Sequence, residues 1–317
     1  MSGSLMLGFY RFATALAAPA MPVLLRQRIA RGKEDQDRWR ERFGETATPR
    51  PAGPLIWCHA ASVGETSSVL PLITALADKG FTVLLTTGTV TSARMTQGRL
   101  PLRALHQYAP HDHAAWVARF LDHWRPGLAL RVDSEIWPNT ITLLRQRGVP
   151  IVQVNARMSE KAFDGWSIFP SLMTEVFAAF DLVCAQSDTD RAHFEKLGAR
   201  KAVTSGNLKL AQPPLPCDAG ALQESQTQAG NRPTWTAASI HPGEDIIVGR
   251  AHLAVKAQRP GALLYVVPRH AERGSEMTAT LRGLGLKVAQ RSAGDAITAN
   301  TDVYMADTMG ELGLFYR

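Results

Sequence analysis

Residues 54–73 read PLIWCHAASVGETSSVLPLI. The first seven residues are an apolar run of strand length. From Glu65 to Asp78 the apolar residues Val69, Leu72, Ile73 and Leu76 recur at helical spacing. Between the two lies a turn of small residues, Ser62-Val63-Gly64, ending on one carboxylate, Glu65. Gly64 is read as permitting a tight turn and the close approach of a substrate. An acid in a first helical turn gains about 0.3–1 kcal/mol from the helix dipole, which is a purely structural reason for its place. The other reason is chemical: a general base held at the rim of a cleft.

The same rhythm repeats outward from this unit. Strands are expected at 81–87, 127–132, 149–155 and 181–186. Helices are expected after a Ser92 cap and over 114–123, 139–147, 171–180 and 189–197. This β-α-β-α order implies a parallel sheet covered on both faces. Residues 210–233, rich in Pro, Gly, Gln and Ser, interrupt it and read as a linker region. The rhythm then restarts with strands at 234–239, 261–267 and 287–290 and helices at 244–258 and 271–284. The expected organisation is an anchor and basic helix at 1–45, a first Rossmann-like domain at 50–210, a linker at 211–232 and a second Rossmann-like domain at 233–317. The 106 residues from Gln212 to Arg317 end in MGELGLFYR, an amphipathic helix opening. A doubly wound domain commonly takes ~100–150 residues and closes on a finished element, so the second domain is expected to be incomplete.

A length of 317 residues allows two domains, and 45% hydrophobic with 20% charged residues places the chain among globular proteins. Residues 1–42 hold eight Lys/Arg against four Asp/Glu, which is +4 of the formal +7. Basicity so local points to an acidic surface met by the N-terminus; no nucleic-acid partner is expected. Three widely spaced cysteines fit neither a disulfide framework nor a zinc site and suggest a reducing compartment, with Cys58 and Cys184 as small core residues. Leu5–Leu25 is apolar over 21 residues, but Arg11, Pro19 and Pro22 make it a poor membrane span. It reads as a membrane anchor, spanning or lying in the interface, in preference to a core helix. Arg26, Arg28, Arg31 and Lys33 behind it favour a cytoplasmic domain.

Polar clusters sit where strands are expected to end, the place where ligands gather in open α/β sheets. Asp133 and Glu135, two apart, share a face if their strand continues. Ser239 and His241 precede Pro242, where a helix start would offer backbone N–H groups to an anion. Arg269 and His270 follow an apolar strand, and the guanidinium is a fork suited to phosphate. Each cluster also has a structural reading as a cap, a stop or a solvated turn. His111-Asp112-His113 lacks a third ligand at metal spacing, so no metal is expected. There is no dinucleotide fingerprint or lysine-bearing phosphate loop.

Ten segments, in order, resemble the 3-deoxy-D-manno-octulosonic acid (Kdo) transferases of lipid A biosynthesis. They are RGKEDQDRWRERFG with its preceding anchor, HAASVGETSSVLPLI, LLTTGTVTSARM, YAPHD, RVDSEIWPN, VNARMSEKAF, SGNLKL, ASIHPGE, VPRHAERG and ADTMGELG. The resemblance implies a GT-B glycosyltransferase of α/β class, with two Rossmann-like domains facing a cleft, on the cytoplasmic side of the inner membrane of a Gram-negative bacterium. It implies CMP-Kdo as donor, lipid IVA as acceptor, inversion at the anomeric centre, an anionic membrane surface as partner, and no cofactor or active-site metal. Glu65 matches the family's catalytic glutamate, and Asp133 and Glu135 match its second acidic motif. Ser239, His241, Arg269, His270, Met309, Gly310 and Glu311 match the donor side, and Ser62, Gly64, Arg94 and Lys209 the acceptor side or cleft. Two departures stand out. Asp133 replaces the usual glutamate, with Arg131 where an apolar residue is usual and able to pair with it. The family's Gly-Gly-His-Asn…Glu-Pro segment is not in these residues, so little transfer by the chain is expected. The alternatives are a sugar-nucleotide epimerase of the same architecture and an inactive membrane-bound lipid- or sugar-binding remnant.

Overall fold

A computed structural model describes residues 5–133 and 135–317. Ser134, inside the acidic motif 133–135, lies outside the described residues, as do Met1–Ser4 at the head of the expected anchor. The chain divides into two compact units, Met1–Gln212 and Pro213–Arg317.

The first unit begins with helices α1 (Leu5–Ala17) and α2 (Met21–Ala30), followed by β1 (Leu55–Ala60), α3 (Val63–Asp78), β2 (Thr82–Thr87) and α4 (Val90–Thr96). It continues through β3 (Ala104–Tyr108), α5 (Ala114–Trp124), β4 (Leu128–Val132), α6 (Pro138–Gln146) and β5 (Ile151–Ala156). It closes with α7 (Glu160–Ser167), α8 (Pro170–Phe177), β6 (Leu182–Ala185), α9 (Asp188–Lys196) and β7 (Ala202–Thr204). The seven strands form a parallel sheet in the order β3-β2-β1-β4-β5-β6-β7. Chain order reverses between β1 and β4, and this switch point opens a crevice at the strands' carboxyl ends.

Both faces of the sheet are apolar, as continuous hydrophobic strands require. Leu55, Trp57, Phe120, Ile141 and Phe177 pack on one face, and Ile56, Cys58, Val69, Ile73 and Leu85 on the other. The helix cap expected at Ser92 belongs to Thr89, whose hydroxyl accepts from the Ser92 N–H at 3.1 Å. Ser92 is buried inside α4 instead, because the turn out of β2 closes three residues earlier. Strands β3 and β7 and helix α7 were not expected: they are short or mainly polar, so periodicity does not separate them from loops.

Leu5–Ala30 is a continuous helical run of 26 residues, long and apolar enough to cross a membrane, and almost none of it is buried. Leu5, Phe9, Phe12 and Leu16 point outward, so it is not a core helix. Its other side is tied down. Tyr10 Oη donates to Asp112 Oδ2 at 3.0 Å, Arg11 Nη2 to Thr142 at 3.2 Å, and Asn139 Nδ2 to Thr14 at 3.3 Å.

The second unit holds α10 (Ala219–Ala229), β8 (Thr234–Ile240), α11 (Glu244–Gln258), β9 (Leu263–Pro268), α12 (Gly274–Gly283), β10 (Val288–Gln290), β11 (Val303–Met305) and α13 (Leu312–Phe315). Its four strands are parallel in the order β10-β11-β9-β8. The stretch read as irregular at 210–233 contains α10, whose Ala221, Leu222 and Ala229 pack on Leu263, Tyr265 and Tyr304. Its apolar face is mostly alanine, too small to mark a hydrophobic stripe in sequence.

Candidate functional site

The turn between β1 and α3 is a capping box. Ser62 is the N-cap and its hydroxyl accepts from the Glu65 N–H at 3.3 Å. Glu65 reaches back with both oxygens, to the Ala61 N–H at 2.8 Å and the Ser62 hydroxyl at 2.7 Å. Its carboxylate is therefore fixed at the mouth of the crevice. Burial raises the Glu65 pKa above the usual carboxylate range; the two hydrogen bonds oppose the shift, and the charges of Glu135 and Asp133 add to it. Gly64 lies within the first turn of α3, has no positive φ, and a Cβ there would meet open space, so it makes no tight turn. Glycine is required instead at Gly88, beside the same turn. Its N–H donates to Ala61 O at 3.0 Å, and a Cβ would stand 2.9 Å from that oxygen.

Across the switch point, β4 stops at Val132 and the backbone turns left-handed at Asp133, with φ of +60°. Asp133 and Glu135 thus do not continue a strand or share its face. The turn is held from β5, where Gln153 Nε2 donates to Asp133 O at 2.5 Å. Glu135 accepts from Trp137 Nε1 at 2.5 Å. Glu65, Asp133 and Glu135 form one acidic group at the carboxyl ends of β1 and β4, close enough for their charges to act on each other.

Arg131 is not at the surface beside Asp133. It is buried in β4 over the Trp57 ring, 5.7 Å from its centroid. Burial lowers its pKa to about 10, against the charges of Glu135, Asp112, Glu65 and Cys58. Arg94 is exposed on α4. Lys209 is also exposed, in a 3-10 turn at Leu208–Ala211 tied to β5 by the Leu208 N–H donating to Asn155 Oδ1 at 2.9 Å. Asn155 has φ of +53° and was not singled out from sequence; an asparagine inside an apolar strand was the available signal. The carboxylate of Asp112 is spent on α6, accepting from the Asn139 and Thr140 N–H groups at 3.0 and 2.8 Å.

In the second unit Ser239 and His241 at the end of β8 adjoin Arg269 and His270 at the end of β9, where the Arg269 N–H donates to Ile240 O at 3.0 Å. Ser239 is strained, with φ of +61°, and all four side chains are exposed. Helix α11 opens at Glu244 behind a left-handed Gly243, not at Pro242, and no side chain caps its first N–H groups. Glu244 reaches back to the His241 N–H at 2.7 Å. Beyond β11, Met309 is exposed and Gly310 has φ of +85°. Glu311 forms a two-bond pair with Arg291 at 2.7 and 2.5 Å, which lowers its pKa, and also accepts from Thr308. Thr308, Glu311, Arg291, Tyr304 and Ser225 line a cavity of about 360 Å³.

A family profile described as 3-deoxy-D-manno-octulosonic-acid transferase (kdotransferase) matches residues 37–212. The chain is 33% identical over 317 residues to a probable mitochondrial 3-deoxy-D-manno-octulosonic acid transferase of Arabidopsis thaliana, covering 97% of this chain and 71% of that protein. It is 32% identical over 267 residues to the Rickettsia felis 3-deoxy-D-manno-octulosonic acid transferase, covering 84% of this chain but 57% of the relative's length. Among solved structures, the C-terminal CMP-Kdo binding domain of WaaA from Acinetobacter baumannii is 38% identical, covering 31% of this chain and 51% of that one, with a TM-score of 0.29. The UDP-GlcNAc 2-epimerase of Neisseria meningitidis bound to UDP-GlcNAc is 11% identical with a TM-score of 0.53, covering 83% of this chain and 74% of that one; this is a likeness of fold.

Proposed function

This chain belongs to the 3-deoxy-D-manno-octulosonic acid (Kdo) transferase family, and on that premise we propose that it serves an inverting transfer of Kdo from CMP-Kdo to lipid IVA. The observation that carries the reading is Glu65. It is a fixed carboxylate at the switch point of the first sheet, with its pKa raised by burial, facing the Asp133–Glu135 turn.

In this reading an acceptor hydroxyl attacks the anomeric carbon of Kdo while Glu65 takes its proton. The bond from that carbon to the CMP phosphate oxygen breaks, and CMP leaves with the electron pair. Arg269 and the uncapped N–H groups of α11 answer the charge on the departing phosphate. Glu311 is held by Arg291 and Thr308 at the wall of the 360 Å³ cavity, where a nucleotide would have hydrogen-bond partners. Asp133 and Glu135 shape the crevice opposite Glu65, and Arg94 and Lys209 offer exposed cations to an acceptor bearing phosphates. The outward face of α1 and the basic run from Arg26 to Lys33 suit the cytoplasmic face of a Gram-negative inner membrane. The hydrogen bonds of Tyr10, Arg11 and Thr14 favour a helix lying in the interface over one crossing the bilayer.

CMP release from CMP-Kdo, with and without lipid IVA, tests the reading in the chain and in Glu65→Gln. Acceptor-dependent release should fall at least a hundredfold in the variant, within the ~10²–10⁴ range of a general base. Release that persists in Glu65→Gln overturns Glu65 as the base. Turnover of a UDP-sugar in place of CMP-Kdo assigns the chain to epimerase chemistry, and binding of both substrates without release assigns it to binding.

A further inference from the structure

Helix α1 and its passage into α2 wall a cavity of about 190 Å³ in the first unit. On this side the wall is Ala17, Ala18 and Met21; elsewhere it carries the rings of Trp116 and Trp137. Tyr10, Thr14 and the segment His111-Asp112-His113 complete it.

The polar atoms of this wall are largely spent inside the protein. Tyr10 Oη donates to Asp112 Oδ2 at 3.0 Å, and Asp112 Oδ1 accepts from the Thr140 N–H and hydroxyl at 2.8 and 2.6 Å. Thr14 Oγ1 donates to Arg11 O at 2.9 Å and accepts from Asn139 Nδ2 at 3.3 Å. Trp137 Nε1 donates to Glu135 Oε2. Two ring nitrogens are left over. His111 Nε2 and His113 Nδ1 are buried and have no hydrogen-bond partner among the described residues. Such atoms occur elsewhere in the first unit, on His59 and Gln107 under the sheet, but these two belong to the wall of one cavity. Burial lowers the pKa of His111 to about 4 and that of His113 as well, so near pH 7 each ring is neutral and can both donate and accept. The cavity is thus mainly hydrocarbon with two polar points.

We propose that this cavity takes the first carbons of an acyl chain of the lipid acceptor, with the ester or amide at the head of that chain meeting His111 and His113. An apolar cavity of ~150 Å³ takes a benzene ring, so this one has room for roughly six to eight carbons. Hydrocarbon alone would leave the two nitrogens buried and unpaired, which is costly; a carbonyl or amide group answers them. The outer side of the same helical run exposes Phe9, Phe12, Leu16, Val23 and Leu24, so the remaining chains of such a lipid have an apolar surface next to the cavity. Trp137 decides between an acceptor and a bilayer phospholipid. Its ring lines the cavity while its N–H holds Glu135, so a lipid seated here has its head beside the acidic group. The inference rests on the reading of the acceptor as an acylated lipid.

The test is photocrosslinking of the chain on phosphatidylglycerol vesicles, with adducts placed to the residue by tandem mass spectrometry. One probe is lipid IVA with a diazirine near the head of an acyl chain; the other is phosphatidylglycerol with the same chain. The lipid IVA probe should label Ala17–Met21 and His111–Trp116, and excess unlabelled lipid IVA should remove that label. The phosphatidylglycerol probe should label only the outer side, at Phe9–Leu16. Ala18→Trp, which fills the cavity, should lower the cavity label about tenfold, the effect of keeping about two methylenes in water, and leave the outer label as it was. Should that variant fail to fold, Ala18→Leu is read in the same way. Label confined to the outer side, cavity label that unlabelled lipid IVA does not remove, or equal cavity label from both probes overturns the inference. The map needs no transfer. Cavity label without CMP release defeats the proposed chemistry and keeps the subsite, whereas CMP release without cavity label defeats the subsite alone.

Discussion

Among the described residues, three with side chains hold the left-handed conformation at strand carboxyl ends: Asp133 after β4, Asn155 in β5 and Ser239 in β8, with φ of +60°, +53° and +61°. Strain of this kind costs of order 1–3 kcal/mol and persists where surrounding structure over-determines it. Around Asn155 that structure is the Leu208 N–H, held at 2.9 Å, and the Gln186 amide, held by the Asn155 carbonyl at 3.0 Å. Asn155→Ala should therefore destabilise the first unit by about 1–3 kcal/mol in urea unfolding. Amide exchange at Leu208 should accelerate with it; unchanged exchange would mean that Asn155 does not hold the Lys209 turn. Glu65 shows what one residue's sequence context leaves open. Ser62 and Glu65 three apart spell a capping box in any protein. Burial at the meeting of β1 and α3 is the main reason that the Glu65 pKa is raised, and the charges of Glu135 and Asp133, about seventy residues away in sequence, add to it.

At the scale of elements, the segment between α2 and β1 works as a clasp. Arg42 is buried, pairs with buried Glu34 at 3.0 Å, and donates to Gly88 O at 2.8 Å and Thr87 O at 3.3 Å. It thereby locks the carboxyl end of β2 beside the Glu65 turn. Glu34→Ala leaves that guanidinium buried without its counter-charge and should cost about 3–5 kcal/mol in denaturant unfolding. Helix α1 is divided between two tasks. Its polar side docks through Tyr10, Arg11 and Thr14, and its apolar side is exposed, the side that the proposed function sets against a membrane. Replacing Phe9, Phe12 and Leu16 together by serine should lower co-sedimentation with anionic vesicles at least tenfold, since each buried apolar side chain contributes roughly 1.5–3 kcal/mol. The thermal midpoint should stay put, because none of the three is buried in the fold. The longer strands and amphipathic helices of the first unit were legible as periodicity. Strands β3, β7 and β11 were not: runs of three to five residues are too short to show a period and become strands because a neighbouring strand offers hydrogen bonds.

For the whole molecule, buried histidines make stability depend on pH, and unequally between the units. In the first unit His59 lies well below its ordinary pKa, His106 falls to about 3, His111 to about 4, and His113 is lowered as well, each chiefly through burial. In the second unit burial lowers His252. A histidine depressed in the folded state is protonated first in the unfolded chain, so stability is lost as pH falls below about 6.5. Glu65, with its raised pKa, works in the opposite direction but is one group against four. Six of the seven tryptophans lie in the first unit, so tryptophan fluorescence reports mainly on it. Its thermal midpoint should drop steeply between pH 6.5 and 4; a flat profile would show that these histidines are not held neutral. The sequence alone determined the parallel α/β plan, the apolar N-terminal helix and the family, because apolar periodicity and short ordered motifs are local properties written residue by residue. Only the tertiary structure decided that Asp133 leaves its strand, that Gly64 is an ordinary helical residue, and that Arg131 lies buried over the Trp57 ring. Those outcomes depend on strand order and register, which bring residues far apart in sequence to one level of the sheet and which no local pattern encodes.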